Sequence, residues 1–281
     1  MRDPTIFHKG GPNGVVLVHG LTGTPTEMAH IGRRLHERGY TVYAPILAGH
    51  CRTEQDLVKT GWRDWLASVH DAVDFLAPQV ERVCIAGLSM GALLALLVAA
   101  RRANAVAGIA LYSTTLWYDG WCIPPSAALL PLMLRVPILG KRLRFLEPWP
   151  YGIKDDRIRK YILAKLESGQ SHEAGLRGMP GASLAQMHRL IGVTKRELRQ
   201  VQAPTLIVHA ANDDVTSIRN ADYVAQRVQG RVSTVLLNDS YHLITVDAER
   251  DRVASLTADF FTDQHAHQAA AFAGASAVAA S

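Results

Sequence analysis

Ser89 stands in Gly87-Leu88-Ser89-Met90-Gly91, after the short apolar run Val83-Cys84-Ile85-Ala86 and before the helix-like stretch Ala92-Leu93-Leu94-Ala95-Leu96-Leu97-Val98. A serine at such a strand-to-helix junction can occupy a strained tight turn that projects Oγ from a sheet. The flanking glycines let the two backbones approach without Cβ clashes. The pentapeptide alone is common by chance; its setting makes Ser89 the candidate nucleophile. A serine hydroxyl attacks a carbonyl only when a histidine takes its proton, and that imidazole needs a carboxylate to hold its tautomer.

For this strand-turn-helix setting the chain order is serine, acid, histidine. After Ser89 the histidines are 172, 188, 209, 242, 265 and 267. His265 and His267 lie in a tail of small residues, His172 and His188 in a helical cap region, and His209 inside the strand Thr205-Leu206-Ile207-Val208-His209. His242 follows the strand Val232-Ser233-Thr234-Val235-Leu236-Leu237 on a loop able to reach over a sheet edge, and is the candidate base. Between them, Ala210-Ala211-Asn212-Asp213-Asp214-Val215 offers two acids. Asp213 is favoured because the acid usually lies four residues past the strand's last residue, with a hydrophobic anchor, here Val215, two later. Asp214 is its rival, and Asp239 and Asp247 stand behind both.

Negative charge on a tetrahedral intermediate calls for preorganised N–H donors. One is the residue after the nucleophile, Met90. The other follows the strand Val15-Val16-Leu17-Val18-His19-Gly20, giving Leu21. His19 itself is read as tying that loop together.

His19-Gly20-Leu21-Thr22-Gly23-Thr24-Pro25, Gly49-His50, Thr60-Gly61-Trp62-Arg63-Asp64-Trp65, Gly87-Leu88-Ser89-Met90-Gly91 and Ser240-Tyr241-His242-Leu243-Ile244-Thr245-Val246-Asp247 together resemble the bacterial carboxylesterase and monoacylglycerol lipase family of α/β-hydrolases. The resemblance runs from about residue 13 to 262 and is weakest from about 116 to 180. It implies hydrolysis of short- to medium-chain carboxylic esters, monoacylglycerols included, by a Ser89-Asp213-His242 triad with no cofactor and no metal. One departure is visible: many relatives continue Gly-His with Gly, where this chain has Cys51. Two readings compete within the fold, a serine aminopeptidase and a carbon–carbon bond hydrolase. One competes from outside catalysis, a ligand-binding receptor.

These residues need elements to position them. Apolar runs near 15–18, 41–44, 83–86, 106–112, 205–209 and 232–237 alternate with helix-period segments near 26–38, 62–76, 90–102, 219–228 and 248–262. That alternation predicts an α/β fold with a mostly parallel central sheet covered by helices on both faces. The expected organisation is a core of 1–115 and 196–262, a helical cap insertion over 116–195, and a disordered tail over 263–281.

The insertion carries twelve Lys or Arg against six Asp or Glu, so the chain's formal +5 resides there. It also carries an apolar, proline-broken run, and Trp117, Trp121, Leu130 and Met133 are its candidate substrate contacts. Basic residues such as Lys141, Arg142 and Arg144 are either a solvated face or, with that run, a peripheral contact with anionic lipid. Prolines and Arg135 break any membrane-spanning reading, and no aromatic platform accompanies the basic residues, which argues against nucleic acid. Cysteines 51, 84 and 122 have no metal-ligand spacing and leave an odd thiol, and the N-terminus has no apolar signal segment. Both point to a reducing, cytoplasmic location. Oligomeric state is not legible.

Overall fold

The computed structural model describes residues 3–134, 143–146, 148–167, 175–176 and 178–263. Of the expected tail over 263–281, Asp263 is the last residue of a helix, and 264–281, together with Lys141 and Arg142, lie outside the described residues. In chain order the strands are β1 (Ile6–His8), β2 (Asn13–Val18), β3 (Thr41–Ala44), β4 (Arg82–Leu88), β5 (Gly108–Tyr112), β6 (Arg144–Phe145), β7 (Met179–Pro180), β8 (Thr205–Ala210) and β9 (Val232–Leu237). The helices are α1 (Ala29–Glu37), α2 (Glu54–Val58), α3 (Trp62–Leu76), α4 (Met90–Arg101), α5 (Leu130–Met133), α6 (Asp156–Glu167), α7 (Gly181–Glu197), α8 (Arg219–Ala225) and α9 over 250–263.

The main sheet has the order β1-β3-β2-β4-β5-β8-β9, parallel throughout except for β1, which runs antiparallel to β3 at one edge. Central strands buried on both faces need apolar side chains at every position, which is why they read as continuous runs. Successive residues serve opposite faces. Val16, Val18, Ile85, Ile109 and Ile207 pack with α3, α4, α7 and α8; Val15, Leu17, Cys84, Ala86 and Val208 pack with α1 and α9. The short edge strand β1 and the five-residue α2 were not in the sequence reading; each is too brief to show a period.

The strand order places the site. From β2 the chain crosses to β3 on one side and then returns to β4 on the other, opening a crevice at the carboxyl ends of β2 and β4 where open α/β sheets bind ligands. Val18 pairs with Gly87 and Ala210 with Leu237, so the loops after β2, β4, β5, β8 and β9 emerge at one edge.

The segment between β5 and β8 holds the expected insertion. Its last helix, α7, buries Leu184, Met187, Leu190 and Ile191 in the cluster that also contains α3 and α4. The expected boundary at 195 therefore falls inside a helix that packs as part of the core layer. At the Gly49-His50-Cys51 departure, Cys51 takes φ 60°, a left-handed conformation that costs a residue with Cβ more than glycine.

Candidate active site

Ser89 has φ 55° and ψ −109°, and its amide donates to the Tyr112 carbonyl at 2.8 Å, holding the turn between β4 and α4. Only glycine permits this crossing. A Cβ on Gly91 would lie 2.2 Å from the Val18 carbonyl oxygen, and one on Gly87 2.2 Å from that of Gly91. Ser89 Oγ sits 2.9 Å from Thr115 Oγ1.

Asp213 and His242 come together from the loops after β8 and β9. His242 Nδ1 lies 2.9 Å from Asp213 Oδ2 and 3.1 Å from Oδ1. Asp213 Oδ1 also accepts from the amides of Val215 and Thr216, both at 2.8 Å, and Oδ2 accepts from Thr216 Oγ1 at 3.1 Å. Burial opposes ionisation of Asp213. The charge and hydrogen bond of His242, the nearby His209 and the Thr216 amide outweigh it and hold the carboxyl below its usual range. Asp214, the rival acid, faces elsewhere: it accepts from the Gly152 amide at 2.9 Å and the His242 amide at 3.2 Å. Burial raises its carboxyl. His209 is buried and donates from Nε2 to the Thr216 carbonyl at 3.0 Å, bracing the acid's turn.

At the other side, a Cβ built on Gly20 would stand 3.7 Å from Ser89 Cβ, so the loop after β2 lies against the elbow. Leu21 follows in the cavity wall, and Met90 opens α4, where helix amides have no intrahelical partner. His19 donates from Nδ1 to the Gly20 carbonyl at 2.9 Å and accepts at Nε2 from the Leu47 amide at 3.3 Å. Burial and the neighbouring His50 push its pKa down to about 3, so it stays neutral and structural.

Ser89, His242, Leu21 and Val215 line one cavity of about 530 Å³, inside the ~300–1,000 Å³ of pockets that enclose small ligands. Its roof comes from α6, whose Ile158, Tyr161, Ile162 and Lys165 recur at helical spacing on one face, and from Tyr118, Leu176 and Met179. Glu27, Arg157 and Arg250 supply most of the remaining charge. Among the described residues no group of three or more His, Cys, Asp or Glu side chains could hold a metal ion.

The four cap contacts expected from sequence lie off this wall. Trp117 stacks under Lys195 and Arg219, 3.4 and 4.2 Å from its ring centre. Trp121 is 54% exposed, with Nε1 donating to the Asn212 carbonyl. Leu130 turns into the core and Met133 faces outward. Their apolar character marked burial or exposure on other surfaces. The periodicity of 158, 161, 162 and 165 was the signal that could have found the true lining.

The pattern of the serine aminopeptidase S33 family matches residues 12–249. The chain belongs to that family. This S33-family chain is 30% identical over 258 residues to the thermostable monoacylglycerol lipase of Bacillus sp. strain H-257, covering 91% of itself and 92% of that protein. It is 26% identical over 247 residues to a carboxylesterase of Bacillus subtilis strain 168, covering 87% and 90%. One of two metagenome-derived lipolytic enzymes shares its fold with TM-score 0.79 at 22% identity, over 93% of this chain and 98% of that one. The architecture is that of an α/β-hydrolase.

Proposed function

We propose that this S33-family chain is a serine hydrolase of carboxylic esters, short- to medium-chain acyl esters and monoacylglycerols, acting through an acyl-enzyme on Ser89. The observation that carries the reading is the 2.9 Å contact of His242 Nδ1 with Asp213, in the wall of the apolar cavity that also holds Ser89. With Nδ1 engaged by the carboxylate, Nε2 is the nitrogen that can serve as base. His242 takes the Ser89 proton as Oγ attacks the ester carbonyl, and the Leu21 and Met90 amides hold the oxyanion. His242 then returns the proton to the leaving alcohol. Water, deprotonated in the same way, releases the acid.

The family label and the peptide alternative ask for a carboxylate to hold a substrate ammonium. Glu27 is present, but Arg157, Lys165 and Arg250 share its cavity, which favours a neutral or anionic ester. We read the segment from 116 to α6 as the cap over the site. Its exposed Trp121, Leu129, Leu132, Leu146 and Trp149 suit peripheral contact with lipid, and no described helix is long and apolar enough to cross a membrane.

The test is labelling by a fluorophosphonate probe beside turnover of p-nitrophenyl esters and monoacylglycerols. Ser89→Ala is expected to abolish labelling, and Ser89→Ala or His242→Ala to lower kcat by about 10⁶ without additive loss in the double variant. Stoichiometric labelling of Ser89→Ala would overturn the nucleophile.

A further inference from the structure

The loop after β5 runs Ser113-Thr114-Thr115, and all three residues are fully buried. Its backbone is strained: Ser113 has φ 45°, held by its amide donating to the Val208 carbonyl at 3.0 Å. Ser113 Oγ donates to the His242 carbonyl at 2.7 Å, so this loop grips the backbone of the base. Thr115 Oγ1 lies 2.9 Å from Ser89 Oγ and 3.2 Å from the Ser113 carbonyl, so it also touches the nucleophile.

Proton counting gives this contact a role. Thr115 Oγ1 carries one proton and has two acceptors in range. When that proton points to the Ser113 carbonyl, the contact with Ser89 needs the serine's own proton, which is then unavailable to His242. When the Thr115 hydroxyl turns to Ser89 Oγ, the serine proton is released toward His242, and only a hydroxyl rotation separates the two arrangements.

We propose that Thr115 is a positioning residue for the nucleophile, its hydroxyl holding Ser89 Oγ at the elbow and donating to it as the serine loses its proton. The proposal rests on Ser89 being the nucleophile. As the Ser89 proton passes to His242 Nε2 and the bond from Oγ to the carbonyl carbon forms, Oγ passes through a state of partial negative charge. A hydroxyl donating to it then makes a stronger, charge-assisted bond than in the ground state. Thr115 keeps its proton throughout. The same bond steadies Oγ when it leaves as the acyl-enzyme is hydrolysed. Because the gain belongs to the transition state, it acts on kcat and leaves KM alone.

Thr115→Val keeps the shape and removes the hydroxyl; Thr115→Ser keeps the hydroxyl and removes the methyl. The Val variant is expected to lower both kcat on a p-nitrophenyl ester and the rate of fluorophosphonate labelling by about tenfold, the size of one lost hydrogen bond. KM should not change, and the Ser variant should recover wild-type kcat and labelling. Wild-type rates in the Val variant, equal loss in Val and Ser, or a change confined to KM would each overturn the role. Labelling that persists in Ser89→Ala would instead overturn the nucleophile itself, whatever Thr115 does.

Discussion

Asp213 and Asp214 differ by one position and by nearly everything around them. The first is wrapped by two amides, a threonine hydroxyl and the His242 ring; the second accepts from two backbone amides and joins Gly152 to the His242 backbone. Exchanging each for asparagine separates chemistry from scaffolding. Asp213→Asn presents an amide N–H or a weaker acceptor to Nδ1, favours the wrong tautomer, and is expected to lower kcat by about 10⁴ with little change in melting temperature. Asp214→Asn turns one acceptor into a donor facing an N–H, and the expected outcome is the reverse: a lower melting temperature, with kcat falling about tenfold or less. Steady-state kinetics beside thermal melts of both variants check the assignment, and interchanged results would move the acid to Asp214. The loop after β8 was legible as the source of the acid, but the register within it was not. β8 runs on to Ala210, so Asp213 stands three residues past the strand end where four were expected, and its contact with His242 is what separates it from Asp214. Thr216, Ser113 and Thr115 were not legible, since a buried hydroxyl becomes informative only when its partner, distant in sequence, is known.

Elements repeat the lesson on a larger scale. The strands at 15–18, 41–44, 83–86 and 205–209 were legible because burial between two helical layers demands near-continuous apolar runs. That at 232–237 was legible because β-branched residues recur along it although, at the sheet edge, it is only partly buried, and α3 because Trp62, Trp65, Leu66, Val69 and Val73 mark one face. The insertion resisted because its apolar residues serve three surfaces: the core at Leu130, the cavity at Ile158 and Ile162, and solvent at Leu129 and Leu132. Composition reports apolarity and is silent on which surface receives it. The placement in turn sets a double dissociation. Ile158→Ala with Ile162→Ala should enlarge the cavity and move the preferred acyl chain to greater length. Each methylene accommodated contributes ~0.8 kcal/mol, about fourfold in kcat/KM, up to the length that fills the space. Leu129→Ser with Leu132→Ser should leave that chain-length series unchanged and weaken co-sedimentation with anionic liposomes. A chain-length shift from the second pair, or none from the first, would return specificity to the outer face of the insertion.

At the scale of the whole molecule, the histidines behind the catalytic edge make folding sensitive to acid. His19 and His50 meet edge-to-face with ring centres 5.0 Å apart under the loop that carries Leu21. Burial pushes their pKa values down from 6.5 to about 3 and about 4. As pH falls below 6.5 the unfolded chain binds protons that the native protein refuses, so stability declines through this window and levels only below the folded values. Each such histidine contributes a slope of about 1.4 kcal/mol per pH unit. Asp213, held below 3.8 in the fold, adds a loss at lower pH still, while Asp214, raised by burial, takes up its proton more readily when folded and offsets part of the decline. By pH 4 the two histidines together remove ~6 kcal/mol, a large share of the ~5–15 kcal/mol of an ordinary domain. Melting temperature should therefore hold steady above pH 7 and drop steeply between pH 6.5 and 4. His50→Asn can still donate to the Ala48 carbonyl that His50 Nδ1 engages at 3.1 Å, and it has no titration of its own. In that variant the slope between pH 6 and 4.5 is expected to fall by one histidine's share, about 1.4 kcal/mol per pH unit. An unchanged slope would assign the acid sensitivity to other groups and leave His50 a packing residue only.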